Sequence, residues 1–160
     1  MLIRVIAVGT KMPAWVDQVS ADYGQRLPPD IKLEWHEVKA EKRSDKRTSP
    51  EEAERCMLRE AERIQAALPS DVHLVALDEN GQQLDSVQMS RQLQNWRENA
   101  RPVAILIGGP DGLHAALKAR CPQKISLSRL TLPHPLVRVV LAEQLFRAWS
   151  ILSNHPYHRA

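Results

Sequence analysis

The C-terminal segment "SNHPYHRA" concentrates reactive side chains in a part of the chain that is usually frayed and nondescript. It holds two histidines, His155 and His158, together with Tyr157 and Arg159. Two histidines could contribute to a zinc site, but such a site needs three or four converging ligands. The segment has no cysteine and no third ligand at a recognisable spacing. The pattern therefore predicts that the protein binds no metal.

Two loops that follow predicted strands have residue types suited to ligand binding. In "ILIGGPDGL", glycines come directly after an apolar strand, where they let the backbone turn sharply and let a ligand approach the main chain. The loop "SLSRLTLPHPL" is apolar, and Pro133 and Pro135 restrict their neighbours to extended backbone. A stiff apolar loop beside a glycine turn would suit a flat aromatic ligand such as an adenine ring. The alternative is a buried connection that only packs.

Several common catalytic and nucleotide-binding motifs are missing. The first strand ends in "AVGTK", which has one glycine and matches neither the dinucleotide fingerprint nor the phosphate-binding loop of nucleoside triphosphatases. No G-x-S-x-G nucleophile elbow is present either. The sequence therefore gives no support to nicotinamide chemistry, triphosphate hydrolysis or an activated serine.

Strand-length apolar runs alternate with helix-length segments along the chain. This alternation predicts parallel pairing and a three-layer α/β sandwich, in which ligands bind at the carboxyl ends of the strands. The second strand, Ile31–Val38, alternates apolar and polar residues as an edge strand does. The other predicted strands are Leu2–Gly9, Val72–Leu77, "PVAILIGG" and "KISLSRL", and the predicted helices start near Pro13, Pro50, Ser86, Leu113 and Leu136.

The second helix has a well-marked start. Ser49 is a good N-cap, Pro50 suits the first helical position, and Glu52 stands where it could close a capping box. We also expect a turn at Asn80-Gly81 after the third strand.

The last helix, Leu136–Ser153, is apolar on most of its circumference. Only Glu143, Arg147 and Ser150 form a narrow polar stripe. A helix with so broad an apolar face must be covered on more than one side. Either the helix lies deep in the core of its own chain, or a second subunit covers the side that the sheet leaves free.

The charge balance is mildly basic, with 22 lysines and arginines against 19 aspartates and glutamates, a formal net charge of +3 and an isoelectric point near 9.1. That balance is a weak indication of nucleic-acid binding. The segment Lys39–Arg47 holds five basic residues against two acidic ones. A solvated loop is the alternative interpretation of that run.

Length and cysteine content set further limits. A chain of 160 residues is expected to form one domain, 1–160, with a core of its own. Cys56 and Cys121 lie far apart and form no C-x-x-C pair, which is typical of reduced thiols in the cytoplasm. The opening apolar run is too short to span a bilayer and lacks the features of a signal peptide, so neither a membrane nor a secretory location is expected.

Three stretches together resemble one family: "VGTKMPAW", "AILIGGPDGL" and "SLSRLTLPHPLVRVVLAEQLFRAWSILSNHPYHR". They are similar to the RlmH family of bacterial pseudouridine N3-methyltransferases of the large ribosomal subunit, minimal members of the SPOUT superfamily. The resemblance implies a Rossmann-like parallel sheet sandwiched by helices, with a C-terminal trefoil knot. It also implies S-adenosylmethionine as cofactor, a homodimer, and methylation of N3 of a pseudouridine in 23S rRNA within the assembled ribosome.

The resemblance also implies roles for individual residues. Tyr157 would place the pseudouridine ring and Arg159 would stabilise its N3 anion, with His134, Arg138 and His158 as further substrate-binding residues. The implied cofactor contacts are Leu77, Gly108, Leu127, Ser128, Arg129, Leu130, Thr131 and Leu132.

The chain departs from the family pattern at two positions. Arg159 stands where lysine is more common, so the charge is kept while its geometry changes. Phe146 replaces a frequent tyrosine, so no hydroxyl at that position can be essential here. Two rival functions remain: a non-catalytic RNA-binding dimer, and a related methyltransferase acting on another substrate such as a tRNA base.

Overall fold

The structure, a computed structural model, describes residues 1–44 and 47–159. Asp45 and Lys46, within the basic segment, and Ala160 lie outside the described residues. The strands are β1 (Leu2–Val8), β2 (Lys32–Val38), β3 (His73–Gln83), β4 (Val103–Ile107) and β5 (Gln123–Ser126). The helices are α1 (Ala14–Arg26), α2 (Pro50–Ala66), α3 (Ser86–Asn99), α4 (Ala115–Ala119) and α5 (His134–Leu152), followed by a 3-10 helix, Pro156–Arg159.

The five strands form one parallel sheet in the order β2-β1-β4-β3-β5. All five residues of β4 are buried, which explains its unbroken apolar run, whereas β2 lies at the edge as its alternating pattern predicts. One hydrophobic cluster packs α1, α3 and α5 on one face of the sheet, and a second packs α2 and α4 on the other. The predicted α/β sandwich is therefore confirmed.

The third strand continues past the predicted end at Leu77. Its pairing with β5 shifts register between Leu77 and Gln82, so the expected turn at Asn80-Gly81 is a bulge within β3. A Cβ atom on Gly81 would lie 2.7 Å from the carbonyl carbon of Lys124. Only glycine permits this close approach of the two strands.

The predicted N-cap of α2 is confirmed, but the capping box is not formed there. Ser49 Oγ accepts the backbone N–H of Glu52 at 3.1 Å. The Glu52 carboxylate, however, accepts from the backbone N–H and the hydroxyl of Ser44, at 3.1 and 2.7 Å. A reciprocal capping box is formed at α3 instead, between Asp85 and Gln88.

Helix α5 packs against α1 and α3 of its own chain, so both of these helices cover its apolar surface. Within the expected polar stripe, Ser150 is fully buried and its hydroxyl donates to the Arg147 carbonyl at 2.7 Å. Trp15 on α1 and Leu136 at the start of α5 remain 43% and 40% exposed. Within residues 1–44 and 47–159, the structure holds no helix long and apolar enough to cross a membrane.

Candidate functional site

A cavity of about 810 Å³ opens at the carboxyl edge of the sheet. Its volume is in the range of small-molecule and cofactor sites. The loops that follow β3, β4 and β5 build most of its wall, together with the ends of β1 and β2 and the start of α5. The expected cofactor residues that line it are Leu77, Gly108, Leu127, Ser128, Leu130, Thr131 and Leu132. His134 lines it as well, whereas the exposed Arg129 lies outside the lining.

The glycine turn after β4 shapes this cavity through its own close contacts. A Cβ atom on Gly108 would lie 2.4 Å from the carbonyl carbon of Gly112 and 2.6 Å from the Leu113 nitrogen. Gly108 is therefore required by the turn itself, so a substitution there would disturb the fold of the loop as well as any ligand. Gly112 has a φ of +84° and no heavy atom within 4 Å of its Cβ position, so open space lies where a side chain would stand.

The loop after β5 leaves the sheet earlier than the predicted strand "KISLSRL" because its hydrogen bonds are local. Ser126 Oγ donates to the Ser128 carbonyl at 3.0 Å, and Ser128 Oγ accepts the Leu130 N–H at 2.9 Å. These bonds form a tight serine turn in place of further pairing with β3. Leu130 is 76% exposed, so this loop presents an apolar side chain at the cavity.

Sequence reasoning missed the polar wall of the cavity. Asp78, Glu79 and Asn80 line it from β3, and Lys118 from α4 forms an ion pair with Asp78 at 3.3 Å. Carboxylates and an amide at this place can accept hydrogen bonds from hydroxyl and amine groups of a ligand. The acidic pair directly after the apolar run of the third strand was a signal for them.

Arg138 was expected to bind substrate, but it is buried and each of its guanidinium nitrogens donates to a group of its own chain. It is 2% exposed. Its three guanidinium nitrogens donate to His134 Nε2 at 3.0 Å, Glu37 Oε2 at 2.6 Å and the Gly9 carbonyl at 2.8 Å. The side chain therefore ties the start of α5 to the carboxyl ends of β1 and β2.

His134 is held in its neutral form by the same arrangement. Burial lowers its pKa from 6.5 to about 4, and the charge of Arg138 adds to that effect. Because Nε2 accepts from Arg138, the single ring proton is on Nδ1. At neutral pH, His134 thus offers one N–H donor in the wall of the cavity.

The C-terminal segment, described as far as residue 159, packs on α1 and α5. The Tyr157 hydroxyl donates to Glu143 Oε1 at 2.9 Å and lies 3.2 Å from the Tyr23 hydroxyl, and its ring packs against Phe146. Burial and these two contacts raise the pKa of Tyr157 above its usual value, so the hydroxyl stays protonated. Over residues 1–44 and 47–159, no group of three or more His, Cys, Asp or Glu side chains could hold a metal ion.

The segment lies far from the cavity of the same chain. It follows the C-terminal end of α5, whereas His134 in the cavity wall stands at the N-terminal end of that helix. A helix of 19 residues is about 28 Å long. The fold therefore brings together the residues of the three strand ends, but not Tyr157, His158 or Arg159 of the same chain.

Comparison with known proteins agrees with this fold and cavity. A family model described as "Predicted SPOUT methyltransferase" matches residues 1–158. The solved structure of a probable methylase family protein from Haemophilus influenzae shares the fold, with a TM-score of 0.53 and 11% identity over 96% of this chain and 69% of that one. A putative methylase family protein from Neisseria gonorrhoeae matches with a TM-score of 0.50 and 13% identity, over 96% of this chain and 93% of its own. The class of protein is thus that of the SPOUT methyltransferases.

Full-length relatives define the family more narrowly. The chain is 54% identical over 160 residues to the ribosomal RNA large subunit methyltransferase H of Bordetella pertussis, covering 100% of both chains. It is 48% identical over 159 residues to the protein of that name from Ralstonia pickettii, covering 99% of each. The chain therefore belongs to the SPOUT methyltransferases and, within them, to the family of ribosomal RNA large subunit methyltransferase H, which confirms the family resemblance.

Proposed function

We propose that the protein transfers a methyl group from S-adenosylmethionine to N3 of a pseudouridine in 23S rRNA of the assembled ribosome, in the cytoplasm. The observation that carries this proposal is the cavity at the carboxyl edge, built from the glycine turn and the apolar loop after β5. The names of the full-length relatives support large-subunit ribosomal RNA as the substrate class.

The cavity has the features that a nucleoside-containing cofactor needs. Its volume of about 810 Å³ suits such a ligand, and the open space at Gly112 leaves room where a Cβ atom would intrude. Main-chain groups of the 127–132 loop can bind the edge of an adenine ring, and its leucines can cover the ring faces. Asp78 and Glu79 supply acceptors for the hydroxyl and amine groups of the same ligand.

When bound, the cofactor supplies an electrophilic methyl group, and the residues of the protein have to hold the base in line with it. Such positioning and exclusion of water account for much of the rate. N3 of pseudouridine must also lose its proton to solvent before it attacks, and a nearby cation favours the resulting anion. Arg159 supplies that cation. The Tyr157 ring would place the base, and its hydroxyl, which is protonated and donates to Glu143, is not the group that accepts the proton.

The proposal requires a homodimer, because Tyr157 and Arg159 lie about one helix length from the cavity of their own chain. A two-fold dimer in which the α5 helices of the two chains run in opposite directions would bring residues 153–159 of each chain towards the cavity of the other. The exposed Trp15 and Leu136, beside the start of α5, are apolar surface that such a partner would cover.

Mass mapping of 23S rRNA tests the reaction directly. Ribosomes from a strain that lacks the gene should gain one methyl group on a pseudouridine after incubation with the protein and S-adenosylmethionine. Calorimetric titration with the cofactor distinguishes the rivals. A non-catalytic RNA-binding dimer would give no heat, whereas a tRNA methyltransferase would bind the cofactor and leave 23S rRNA unmodified.

A mixed-dimer experiment tests the shared site. One chain carries Thr131→Trp, which fills the cavity, and the other lacks residues 157–160. Each single-variant dimer should be inactive. If each segment serves the partner's cavity, equal mixing should restore about a quarter of wild-type activity, since half of the dimers are mixed and each has one complete site. No recovery after exchange of subunits would contradict the sharing.

A further inference from the structure

Residues 39–44, the described part of the basic segment directly after β2, are fixed to the protein by paired charges. Arg43 donates to both carboxylate oxygens of Glu60, at 2.7 and 3.0 Å, and its Nε donates to Asp111 Oδ2 at 2.8 Å. Glu60 is 2% exposed. A guanidinium bound to a buried carboxylate in this two-pronged way has a defined orientation. Because Asp111 belongs to the glycine turn, the segment is anchored beside the cavity.

The backbone of the segment is anchored as well. Arg63 Nη1 donates to the Lys39 carbonyl at 2.8 Å, and the Glu41 N–H donates to Glu60 Oε2 at 2.9 Å. Arg63 also forms an ion pair with the Glu41 side chain. Within residues 39–44, the charges of Glu41 and Arg43 are therefore used to hold the segment in place, and those of its two lysines are not.

Four cations in the segments that border the cavity have no such partner. Lys11, Lys39, Lys42 and Arg129 are exposed, and none has a carboxylate within 4.0 Å among residues 1–44 and 47–159. Lys11 adjoins Met12, Lys39 adjoins Ala40 and Arg129 lies between Ser128 and Leu130, all of which line the cavity. We call these four residues the basic rim.

Cations near the opposite edge of the sheet are paired. Lys32 lies 3.0 Å from Glu34, Arg97 lies 2.6 Å from Asp30 and Arg101 lies 3.3 Å from Asp71. Their charges are locally compensated, whereas those of the basic rim are available to a partner. Other exposed cations without a carboxylate partner among the described residues, such as Arg55, Arg91 and Arg120, lie on α2, on α3 and at the end of α4, whereas those of the basic rim adjoin the cavity, where they can attract a polyanion.

We propose that the basic rim binds backbone phosphates of the RNA whose base enters the cavity. This inference rests on the proposed function, since it gives the protein's RNA a docking surface around the site where the methyl group would be transferred. Exposed lysines act as point charges that contact phosphates without reading sequence, so the rim contributes affinity and orientation. The anchored backbone of residues 39–44 restricts where two of the four charges can lie before the RNA arrives, which lowers the entropic cost of binding.

The salt dependence of ribosome binding tests the rim. Each phosphate contact contributes about −0.7 to −0.9 to the slope of log affinity against log salt. The triple variant with Lys11→Gln, Lys39→Gln and Lys42→Gln should therefore reduce that slope by about 2 to 2.7. Between 50 and 200 mM KCl at constant magnesium, the wild type should then lose about 30-fold more affinity than the variant.

A matched control removes three charges from the opposite edge. The variant with Lys32→Gln, Arg97→Gln and Arg101→Gln has the same net charge as the rim variant, and its salt slope should match that of the wild type. Co-sedimentation with purified ribosomes measures binding for all three proteins, and circular dichroism and thermal unfolding verify their folds. A rim variant with the wild-type slope would overturn the proposal, and so would a control with the slope of the rim variant.

The rim and the proposed reaction can fail separately. The salt slope of the rim variant could fall as predicted while the wild type leaves 23S rRNA unmethylated. The docking surface would then be confirmed and the proposed reaction would be wrong. The wild type could instead methylate the rRNA while the rim variant keeps the salt slope of the wild type. The reaction would then be confirmed, and the proposal that the rim binds phosphates would be wrong. Calorimetry with S-adenosylmethionine should give equal affinities for the wild type and the rim variant, because none of its three lysines lines the cavity.

Discussion

His134 should make the folded protein sensitive to mild acid, and His134→Gln should remove part of that sensitivity. Its pKa is lowered from 6.5 to about 4 in the folded chain, by burial first and by the Arg138 charge second. The unfolded chain therefore binds more protons between these two values. Stability from this group is complete above pH 6.5 and is lost as the pH falls towards 4.

The expected loss of folding stability follows from the size of the pKa shift of His134. A change of this size corresponds to about 3 kcal/mol at roughly 1.4 kcal/mol per pH unit. Because the side chain is not fully buried, solvent screening reduces this to about 2 kcal/mol. Glutamine keeps an acceptor for the Nε–H of Arg138, which His134 otherwise accepts at 3.0 Å, so the variant should lose little stability at pH 7.5.

Urea unfolding at pH 7.5 and 4.5, at one protein concentration, measures the difference. The wild type should lose about 2 kcal/mol more than His134→Gln between the two pH values. His36→Gln, on the exposed side of the edge strand, serves as the control and should follow the wild type. Equal losses in the wild type and in His134→Gln would refute the assignment of a neutral, buried His134.

Three further changes test the other parts of the site. Deletion of residues 157–160 should leave the affinity for S-adenosylmethionine in calorimetry unchanged and abolish methyl transfer to ribosomes; full activity would remove the segment from the site. Gly108→Ala should lower the melting temperature by several degrees, since its Cβ would stand 2.4 Å from the Gly112 carbonyl carbon. An unchanged melting temperature would show that the turn adapts freely. Trp149→Glu should give monomers or aggregates in sedimentation, and an intact dimer would exclude this part of α5 from the interface.

The elements that could be predicted from the sequence were those whose signal is local. The apolar run of β4 and the Ser49 and Pro50 start of α2 are properties of a few consecutive residues, and both are present in the structure. The bulge at Gly81 could not be predicted in this way, because it depends on contact with Lys124, far along the chain. The end of β5 was placed too late, since a serine turn can compete with strand pairing in a segment that is otherwise apolar.

The cavity could be predicted from the topology of the sheet, whereas the contacts of Arg138 could not. Parallel strands bring their carboxyl ends to one edge, so topology alone predicted that the glycine turn and the loop after β5 would meet. Arg138, in contrast, lies in an apolar helix with partners 101 and 129 residues away in sequence, Glu37 and Gly9. An arginine in that pattern is typical of a surface or substrate contact. Its actual partners exist only once the fold has formed.

The position of Arg138 links the stability of the fold to the cavity that the proposed reaction uses. Its guanidinium binds the ends of β1 and β2 and also His134, which forms part of the cavity wall. Removing the guanidinium would leave the Glu37 carboxylate and the Gly9 carbonyl without this donor, and would remove the smaller of the two causes that lower the pKa of His134. A change at Arg138 would therefore alter folding and the site together. For that reason the tests of catalysis leave Arg138 unchanged and use the C-terminal segment and the exposed Thr131.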